Sequence, residues 1–429
     1  MSTATSKGSG SMTRLQALLG WIDARFPLSK MWKEHASEYY APKNFNFWYY
    51  FGSLAMFVLV IQIVSGIFLT MNYKPDAAQA FGSVEFIMRD VPWGWLIRYI
   101  HSTGASMFFI VVYLHMFRGL LYGSYRKPRE LLWLVGVLIY LCMMAEAFFG
   151  YLLPWGQMSY WGAQVIVNLF GAIPIVGEDL AVWIRGDYVI SDATLNRFFA
   201  FHVIAIPLVL LALVVVHIMA LHEVGSNNPD GIDIKKKKDA AGHPLDGIPF
   251  HPYYTVKDLV GVIVFLAVFS IILFFAPEVG GYFLEYNNFI PADPLQTPPH
   301  IAPVWYFTPY YAMLRAVPAF LGSQFWGVIV MGAAVLIFFL LPWLDRSAVR
   351  SIRYKGPYYK IALALFVVSF LVLGWLGTQP TDFLGKIGGT DAAVILARLF
   401  TIVYFAFFLL MPWYSRADRT KPEPERVTG

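Results

Sequence analysis

The chain has little charge and almost no cysteine. Charged residues make up 14% of its 429 positions, whereas ordinary soluble domains carry about 25%. The single cysteine, Cys142, excludes an intramolecular disulfide. The opening Ser, Gly and Thr-rich segment has no apolar centre, so we expect a tail rather than a secretory signal peptide. These shortages argue against a secreted domain and against a fold that is surrounded by water.

Long apolar runs take the place of charge. Hydrophobic residues make up 58% of the chain, and a run of about 20 apolar residues is long enough to cross a bilayer as a helix. The sequence therefore predicts an all-α fold, a polytopic membrane bundle of eight transmembrane helices. The predicted spans lie near 46–72, 97–117, 131–153, 198–221, 258–276, 324–344, 358–377 and 394–413.

The spans divide the chain into regions. Residues 15–32 can form an amphipathic helix on the membrane surface. The predicted regions are an N-terminal tail and surface helix (1–44), a four-helix domain (45–223), a connecting loop (224–257), a C-terminal four-helix domain (258–414) with a long outer loop (277–323), and a C-terminal tail (415–429).

Basic residues are concentrated in alternate loops. Most of the 32 Lys and Arg residues lie in the two tails and in the loops after spans two, four and six, including the run 235–238. By the positive-inside rule we expect both termini and this run on the cytoplasmic side of a bacterial inner membrane. We expect no nucleic-acid binding, because the formal charge of +5 is divided among loops between membrane spans.

The first four spans carry a repeated pattern of histidine and glycine. Each span holds one pair of identical residues, 14, 14, 14 and 15 positions apart: Gly52 and Gly66, His101 and His115, Gly136 and Gly150, His202 and His217. Fourteen residues of helix rise by about 21 Å and return nearly to the same face. Histidine ligates haem iron, and glycine lets a flat macrocycle approach a backbone. The pattern predicts two non-covalent haems stacked across the membrane, since the chain has no Cys-x-x-Cys-His segment.

The direction of the spans decides which residues share a level. Spans two and four run the same way, and spans one and three run the opposite way. We expect an outer level with His101, His202, Gly66 and Gly150, and an inner level with His115, His217, Gly52 and Gly136. Any one such residue is often only a packing glycine or a buried, hydrogen-bonded histidine. Eight in one consistent arrangement favour haem.

Two arginines lie near the predicted iron ligands. Arg98 precedes His101 by three residues, and Arg118 follows His115 by three, so each lies on the face of its histidine and nearer the membrane surface. Each is predicted to neutralise a haem propionate. Arginines also flank membrane spans for other reasons, and this alternative stays open.

At this point the chain resembles the cytochrome b family of quinol:cytochrome c oxidoreductases, the cytochrome bc complexes, over nearly all of residues 44–412. The resemblance rests on the Gly and His pairs and on four segments: HMFRG from His115, GYLLPWGQMSYWG from Gly150, LHEVGSNNP from Leu221 and PVWY from Pro303. It implies a Q cycle, in which quinol is oxidised at an outer site and electrons pass through two b haems to quinone, expected to be ubiquinone, at an inner site. It also implies a Rieske-type iron–sulfur subunit, a cytochrome c-type subunit, membrane lipid and a homodimer.

The inner quinone site is predicted at the cytoplasmic ends of two spans. His222 lies five residues beyond His217, and Asp258 opens the fifth span from the same surface. A histidine with a carboxylate can supply protons to a reduced quinone. The resemblance places His222 and Asp258 against the quinone, with Lys257 beside it, and we add Ser226 from the same segment.

The outer quinol pocket is predicted on the opposite side. The resemblance implies that it is lined by Tyr151, Gly162, Ala163, Pro303, Val304, Trp305 and Tyr306. Trp305 and Tyr306 alone also fit interfacial aromatic anchors. The long Pro-rich loop between spans five and six predicts a lid over this pocket.

Two departures from the family pattern lead to further predictions. Val304 stands where the family usually has a glutamate, so another group must accept protons there. Glu146, one turn before Gly150, is our candidate, and His300 is the rival. The spacing of 15 between His202 and His217 predicts a π-bulge or kink near Pro207, which would keep both ligands on one face.

Other classes of protein remain open at this stage. The spacing alone also fits a two-haem membrane anchor of another quinone oxidoreductase. Four intramembrane histidines fit a haem-free, proton-coupled transporter as well. A reduced-minus-oxidised spectrum and sensitivity to quinol analogues separate these alternatives from an electron-transferring enzyme subunit.

Overall fold

A computed structural model describes residues 13–319 and 323–428. Most of the predicted N-terminal tail lies outside these residues. Within them, the α-helices in chain order are α1 Arg14–Asp23, α2 Leu28–Trp32, α3 Tyr50–Thr70, α4 Ala80–Arg89, α5 Gly94–Tyr122, α6 Glu130–Leu152, α7 Gln157–Gly171, α8 Gly177–Arg185, α9 Asp192–Ala200, α10 Ile206–Val224, α11 Tyr253–Phe275, α12 Thr308–Ala316, α13 Phe325–Leu336, α14 Leu341–Leu344, α15 Pro357–Thr378, α16 Ala392–Leu409 and α17 Met411–Ala417.

Short strands and tight helical turns complete the described chain. Strand β1 (Tyr40–Pro42) pairs antiparallel with β2 (Gly247–Pro249), and β3 (Lys386–Ile387) pairs antiparallel with β4 (Thr390–Asp391). The π-helices are Lys33–Ser37 and Phe201–Ala205, and the 3₁₀ helices are Phe47–Tyr49, Ile234–Lys236, Tyr286–Phe289, Trp305–Phe307 and Ile337–Phe339. The first strand pair ties the segment before α3 to the loop before α11.

The predicted all-α membrane bundle is confirmed. Over residues 13–319 and 323–428, seven helices are long and apolar enough to cross a membrane: Phe47–Thr70, Gly94–Tyr122, Glu130–Leu152, Asp192–Val224, Tyr253–Phe275, Pro357–Thr378 and Ala392–Leu409. The eighth predicted span, near 324–344, is an apolar helix of 15 residues, Phe325–Phe339, that ends in a 3₁₀ turn. Pro342 has no N–H to continue the helical hydrogen bonds and opens α14 instead.

The predicted surface helix before the first span is divided in two. Helix α1 has a capping box at Thr13 and Gln16, and Pro27 precedes the short helix α2. Leu15, Trp21 and Trp32 are exposed. The amphipathic segment predicted over 15–32 therefore forms two short helices rather than one.

The first four spans pair two by two. Helix α3 packs against α5, and α6 packs against α10, while a cavity lined by all four helices lies between the pairs. The fifth span, α11, packs against α3 and α5, while α13, α15 and α16 pack around α12 in a second unit. A gap between two helix pairs is the arrangement that a flat cofactor requires.

The fourth span contains the predicted π-bulge. Residues Asp192–Val224 form one continuous helical span, but Phe201–Ala205 adopts π-helical geometry. A π turn takes up one extra residue. The 15-residue spacing of His202 and His217 is accommodated in this way, and the bulge prediction near Pro207 is confirmed.

Candidate functional site

The outer pair of predicted ligands faces across the gap between the helix pairs. The ring centroids of His101 and His202 are 6.1 Å apart with an interplanar angle of 88°. Nδ1 of His101 lies 3.0 Å from the hydroxyl of Ser65, and Nδ1 of His202 lies 2.9 Å from the carbonyl oxygen of Glu146. These bonds occupy Nδ1 of both rings, so Nε2 is the nitrogen that remains for a metal.

The inner pair repeats this arrangement with fewer partners. The ring centroids of His115 and His217 are 6.4 Å apart, at 66°. Among the described residues, Nδ1 of each ring is buried without a hydrogen-bond partner. Unsatisfied buried nitrogen is costly and calls for a partner or a ligand.

The four glycines lie against the four histidines at the levels that the sequence predicts. A Cβ built on each would contact one imidazole: Gly66 that of His101 at 3.2 Å, Gly52 that of His115 at 3.3 Å, Gly136 that of His217 at 3.2 Å, and Gly150 that of His202 closer still. A side chain on any of these helix faces would crowd the ring. The structure thus brings each predicted pair of glycines to the level of one pair of histidines.

These residues fit haem. An iron with metal–nitrogen bonds of about 2 Å to two imidazoles requires ring centroids roughly 6 Å apart, which matches the distances of both pairs. Two protein nitrogens are too few for a free metal ion. Within the described residues, no group of three or more His, Cys, Asp or Glu side chains could hold one. A porphyrin macrocycle would supply the other four ligands.

The two predicted propionate partners lie at the two levels. Arg98 lines the cavity with His101. Arg118 lies on the face of Gly52, where a Cβ would be 4.0 Å from its Nη1. The Nε of Arg118 is buried without a partner among the described residues, although its Nη2 lies 3.4 Å from the carbonyl oxygen of Asn227. A buried guanidinium with an unused donor fits an anionic group.

The outer cavity joins the first histidine level to the predicted quinol pocket. Its volume is about 280 Å³. The predicted pocket residues that line it are Glu146, Tyr151, Val304 and Tyr306, together with His101, His202, Gly66, Gly150 and Arg98. The structure therefore places one end of the predicted quinol pocket directly against the outer histidine pair.

The other predicted outer residues lie around the cavity rather than in its wall. Trp305 donates its indole N–H to Ser106 at 3.0 Å. His300 bonds the carbonyl oxygen of Thr378 at 3.1 Å through Nε2. Pro303 precedes Val304, Ala163 is buried in α7, and a Cβ on Gly162 would lie 3.6 Å from the Tyr151 ring. They shape the surroundings of the pocket.

Glu146 contacts a predicted iron ligand, His202. Its Oε1 lies 3.0 Å from Nδ1 of His202, beside the backbone oxygen of the same residue. Its Oε2 is buried without a partner among the described residues. The carboxylate therefore lies between the ligand and the cavity, and its predicted role as a proton acceptor stays a prediction.

The sequence reasoning missed Glu285. The hydroxyl of Tyr151 donates a hydrogen bond of 2.6 Å to Oε2 of Glu285. Burial raises the pKa of this carboxyl to about 7, and the Tyr151 hydrogen bond opposes the shift only in part. A single acid among the apolar and aromatic residues 281–290 was the available signal. The fold of this loop brings Glu285 to the pocket, and no periodic pattern in the sequence predicts that fold.

The predicted inner residues lie at the ends of α3, α10 and α11 on the side that is predicted to be cytoplasmic. Asp258 accepts hydrogen bonds of 2.9 Å from the hydroxyls of Tyr49 and Ser53. Two other predicted residues meet at Tyr39, whose ring centroid is 4.6 Å from that of His222 and whose hydroxyl is 3.1 Å from Ser226.

Lys257 lies beside this inner group. Its Nζ is 5.5 Å from the centroid of the Tyr254 ring. The partners Tyr39, Tyr49 and Ser53 are further residues that the sequence reasoning missed. They precede or open the first span, and only the packing of this segment against α10 and α11 identifies them.

Comparison with known proteins points to the same family in both parts of the chain. The family model described as cytochrome b/b6/petB matches residues 36–225, and the model described as cytochrome b(C-terminal)/b6/petD matches residues 291–405. Cytochrome b of Allochromatium vinosum is 69% identical over 415 residues, which cover 96% of this chain and 98% of that protein. Cytochrome b of Rhodospirillum rubrum is 49% identical over 412 residues, covering 96% of each.

A solved structure shares the fold. A chain of a hyperthermophilic respiratory Complex III superposes with a TM-score of 0.83 at 41% sequence identity. The match covers 92% of this chain and 98% of that chain. The agreement therefore extends over nearly the whole length of both chains.

Proposed function

This chain belongs to the cytochrome b family, the core subunit of respiratory complexes that oxidise quinol and transfer its electrons, and we propose that each of its histidine pairs holds one b-type haem. The observation that carries the proposal is the pair of facing imidazole sets at 6.1 and 6.4 Å, each with glycines against its rings. When bound, the haems accept and pass on single electrons.

The chain's own groups prepare these positions. Ser65 and the backbone oxygen of Glu146 hold the rings of His101 and His202 through Nδ1, which fixes their orientation and leaves Nε2 for iron. Arg98 and Arg118 provide positive charge for haem propionates at the outer and inner levels. The glycines keep the helix faces open for the macrocycle.

We propose that quinol is oxidised in the outer cavity. Tyr151, Val304 and Tyr306 line its wall, and the cavity reaches the outer histidines. Pro303, Trp305, Gly162 and Ala163 support this wall. The wall of this cavity includes His101 and His202, which supports direct electron transfer from a bound quinol to a haem at the outer level. Glu146 and His300 stay the sequence-based candidates for taking up the protons released there.

We propose that quinone, expected to be ubiquinone, is reduced at the inner site. His222 and Asp258 lie at the cytoplasmic ends of α10 and α11 and can deliver protons to its carbonyl oxygens. Tyr49 and Ser53 hold the Asp258 carboxylate in place. Lys257 adds positive charge beside the site, and Ser226 is a further polar contact.

The assembly follows from the family. We propose an iron–sulfur, Rieske-type subunit and a cytochrome c-type subunit as partners, with the complex forming a homodimer in membrane lipid. The alternating distribution of Lys and Arg supports a location in the bacterial cytoplasmic membrane with both termini inside. One electron from quinol then goes to the iron–sulfur subunit and the other across the two haem levels.

Spectroscopy of the purified complex tests this function. We expect two b-type components with different midpoint potentials in reduced-minus-oxidised spectra, and quinol oxidation that quinol analogues inhibit. Two haems without analogue-sensitive quinol oxidation would favour the membrane anchor of another oxidoreductase. A complex that binds no haem would contradict the proposal and favour a proton-coupled transporter.

A further inference from the structure

The outer pocket has an apolar residue where its chemistry needs a proton acceptor. Oxidation of a quinol to a quinone releases two protons and two electrons. Val304 lines the cavity with only 4% of its surface exposed, and its side chain cannot titrate. If quinol is oxidised here, as proposed above, another group near the pocket must take up a proton.

Glu285 lies directly behind the wall of this pocket. It precedes the 3₁₀ helix Tyr286–Phe289, and its chain neighbours Phe283 and Leu284 line the cavity. Tyr151 also lines the cavity, and its hydroxyl donates to the Glu285 carboxylate at 2.6 Å. A single phenol therefore connects the space for the quinol to a carboxylate.

We propose that Glu285 is the acceptor for a proton of the outer quinol and receives it through the hydroxyl of Tyr151. The O–H bond of the quinol breaks, its proton goes to the Tyr151 oxygen, and the proton of Tyr151 goes to the Glu285 carboxylate. The two electrons leave one at a time, to the iron–sulfur centre of the partner subunit and to the outer haem. Glu285 then releases its proton on the outer side, from the loop that carries it.

The surroundings of Glu285 suit this role. The titratable groups that face it are the hydroxyls of Tyr151, from α6, and Tyr306, from the 3₁₀ helix 305–307. Neither carries charge at neutral pH. A carboxyl with a pKa of about 7 is largely ionised above that pH, so it can accept a proton from the pocket and then lose it to the solvent outside.

Glu285 and Glu146 differ in their contacts, so their roles can be distinguished by experiment. The carboxylate of Glu146 lies 3.0 Å from Nδ1 of His202, a proposed iron ligand. The Glu285 carboxylate contacts a phenol of the pocket wall and no proposed ligand. Loss of the first acid should alter the outer haem, whereas loss of the second should alter proton transfer and leave both haems unchanged.

The test uses the intact complex and the variants Glu285→Gln, Glu285→Asp and Tyr151→Phe. Glu278→Gln is the matched control, because this acid lies in the same loop and accepts a hydrogen bond from the hydroxyl of another tyrosine, Tyr99, at 3.4 Å. Quinol oxidation is measured from pH 5.5 to 9, with haem spectra recorded for every variant. The wild-type rate should rise with pH through about 7.

We expect Glu285→Gln to lower quinol oxidation roughly 10- to 100-fold and to abolish the rise near pH 7, with both haem spectra retained. Tyr151→Phe should behave similarly, Glu285→Asp should recover part of the rate together with the rise, and Glu278→Gln should match the wild type. A wild-type rate or an unchanged pH profile in Glu285→Gln would overturn the proposal. So would loss of the rise in Glu146→Gln alone, which would assign the role to Glu146.

Failure of the proposed function can be distinguished from failure of the Glu285 proposal. If the wild-type complex lacked two haems or oxidised no quinol, the function itself would be wrong, whatever Glu285 does. If the wild-type complex has two haems and oxidises quinol, but the Glu285 variants behave like the Glu278→Gln control, then only the assignment of Glu285 as proton acceptor is wrong.

Discussion

The outer and inner histidine levels are built alike but supported differently. At the outer level Nδ1 of both ligands has a partner, and a carboxylate lies against one of them. At the inner level, among the residues described, neither Nδ1 has one. Anionic and hydrogen-bonding groups next to a ligand stabilise the oxidised metal. The comparison indicates that the repeated spacing sets the positions of the two proposed haem sites, while neighbours that do not repeat make the two sites different.

The quinone sites differ in the same way. The inner site uses an acid on a membrane helix, Asp258, which two hydroxyls hold. The acid nearest the outer pocket in the connecting loop is Glu285, and a single phenol bonds it. The acid proposed to deliver protons to the inner quinone is therefore fixed in a helix, whereas the acid proposed to release them on the outer side lies in a loop.

Removing a proposed iron ligand should have the largest effect, and it tests whether the two levels hold separate haems. We expect His101→Ala or His202→Ala to eliminate the outer haem, and His115→Ala or His217→Ala to eliminate the inner one, because each iron requires both imidazoles. Haem content and low-temperature spectra of each variant check this. Loss of the same spectral component in His101→Ala and His217→Ala would contradict the pairing.

Filling a glycine position should have a smaller, graded effect. A Cβ on Gly150 would overlap the ring of His202, whereas one on Gly52 would lie 3.3 Å from His115. We therefore expect Gly150→Ala to lower outer haem occupancy more than Gly52→Ala lowers inner occupancy. Both are measured as haem per complex.

Gly332→Ala is the control for these two variants. It lies in the apolar helix α13, and a Cβ there has no heavy atom within 4 Å. Its haem content should equal that of the wild type. Equal losses in Gly150→Ala and Gly332→Ala would show that helix substitution as such, and not crowding of the ligand, lowers occupancy.

Loss of the inner acid should separate the two quinone sites kinetically. We expect Asp258→Asn to slow reoxidation of the inner haem roughly tenfold or more, since proton delivery to the inner quinone is impaired. Reduction of the outer haem in the same flash experiment is the internal control and should keep its rate. An unchanged reoxidation rate would remove Asp258 from the mechanism.

Neutralising the acid beside the outer ligand should have the smallest effect. We expect Glu146→Gln to raise the midpoint potential of the outer haem, because a negative charge near His202 stabilises the oxidised iron. A redox titration measures this, with the inner haem as the unchanged reference. Loss of quinol oxidation at an unaltered potential would instead support the sequence-based role of Glu146 as a proton acceptor.

The sequence predicted the parts of this molecule that repeat. Apolar runs predict spans because lipid requires helices, and the Gly and His pairs predict two levels because helical rotation fixes which residues share a face. The eighth span was less regular than expected, since a 3₁₀ turn before Pro342 shortens its helix. A run of apolar residues does not reveal where helical hydrogen bonds change.

Contacts made by residues outside the spans could not be predicted from sequence patterns. Tyr39 contacts His222 of α10, and the adjacent Tyr40 pairs with Pro249, so this segment meets parts of the chain that lie about two hundred residues away. Glu285 reaches Tyr151 across the chain in the same manner. Such contacts depend on tertiary folding, and no local period in the sequence encodes them.

The π turn at Phe201–Ala205 has an evolutionary consequence. A codon gained or lost within this turn changes the number of residues between the two histidines of the span without rotating one ligand away from the other. Deletion of one codon here would return the spacing to 14 residues, which is the interval between the paired residues in the other three spans.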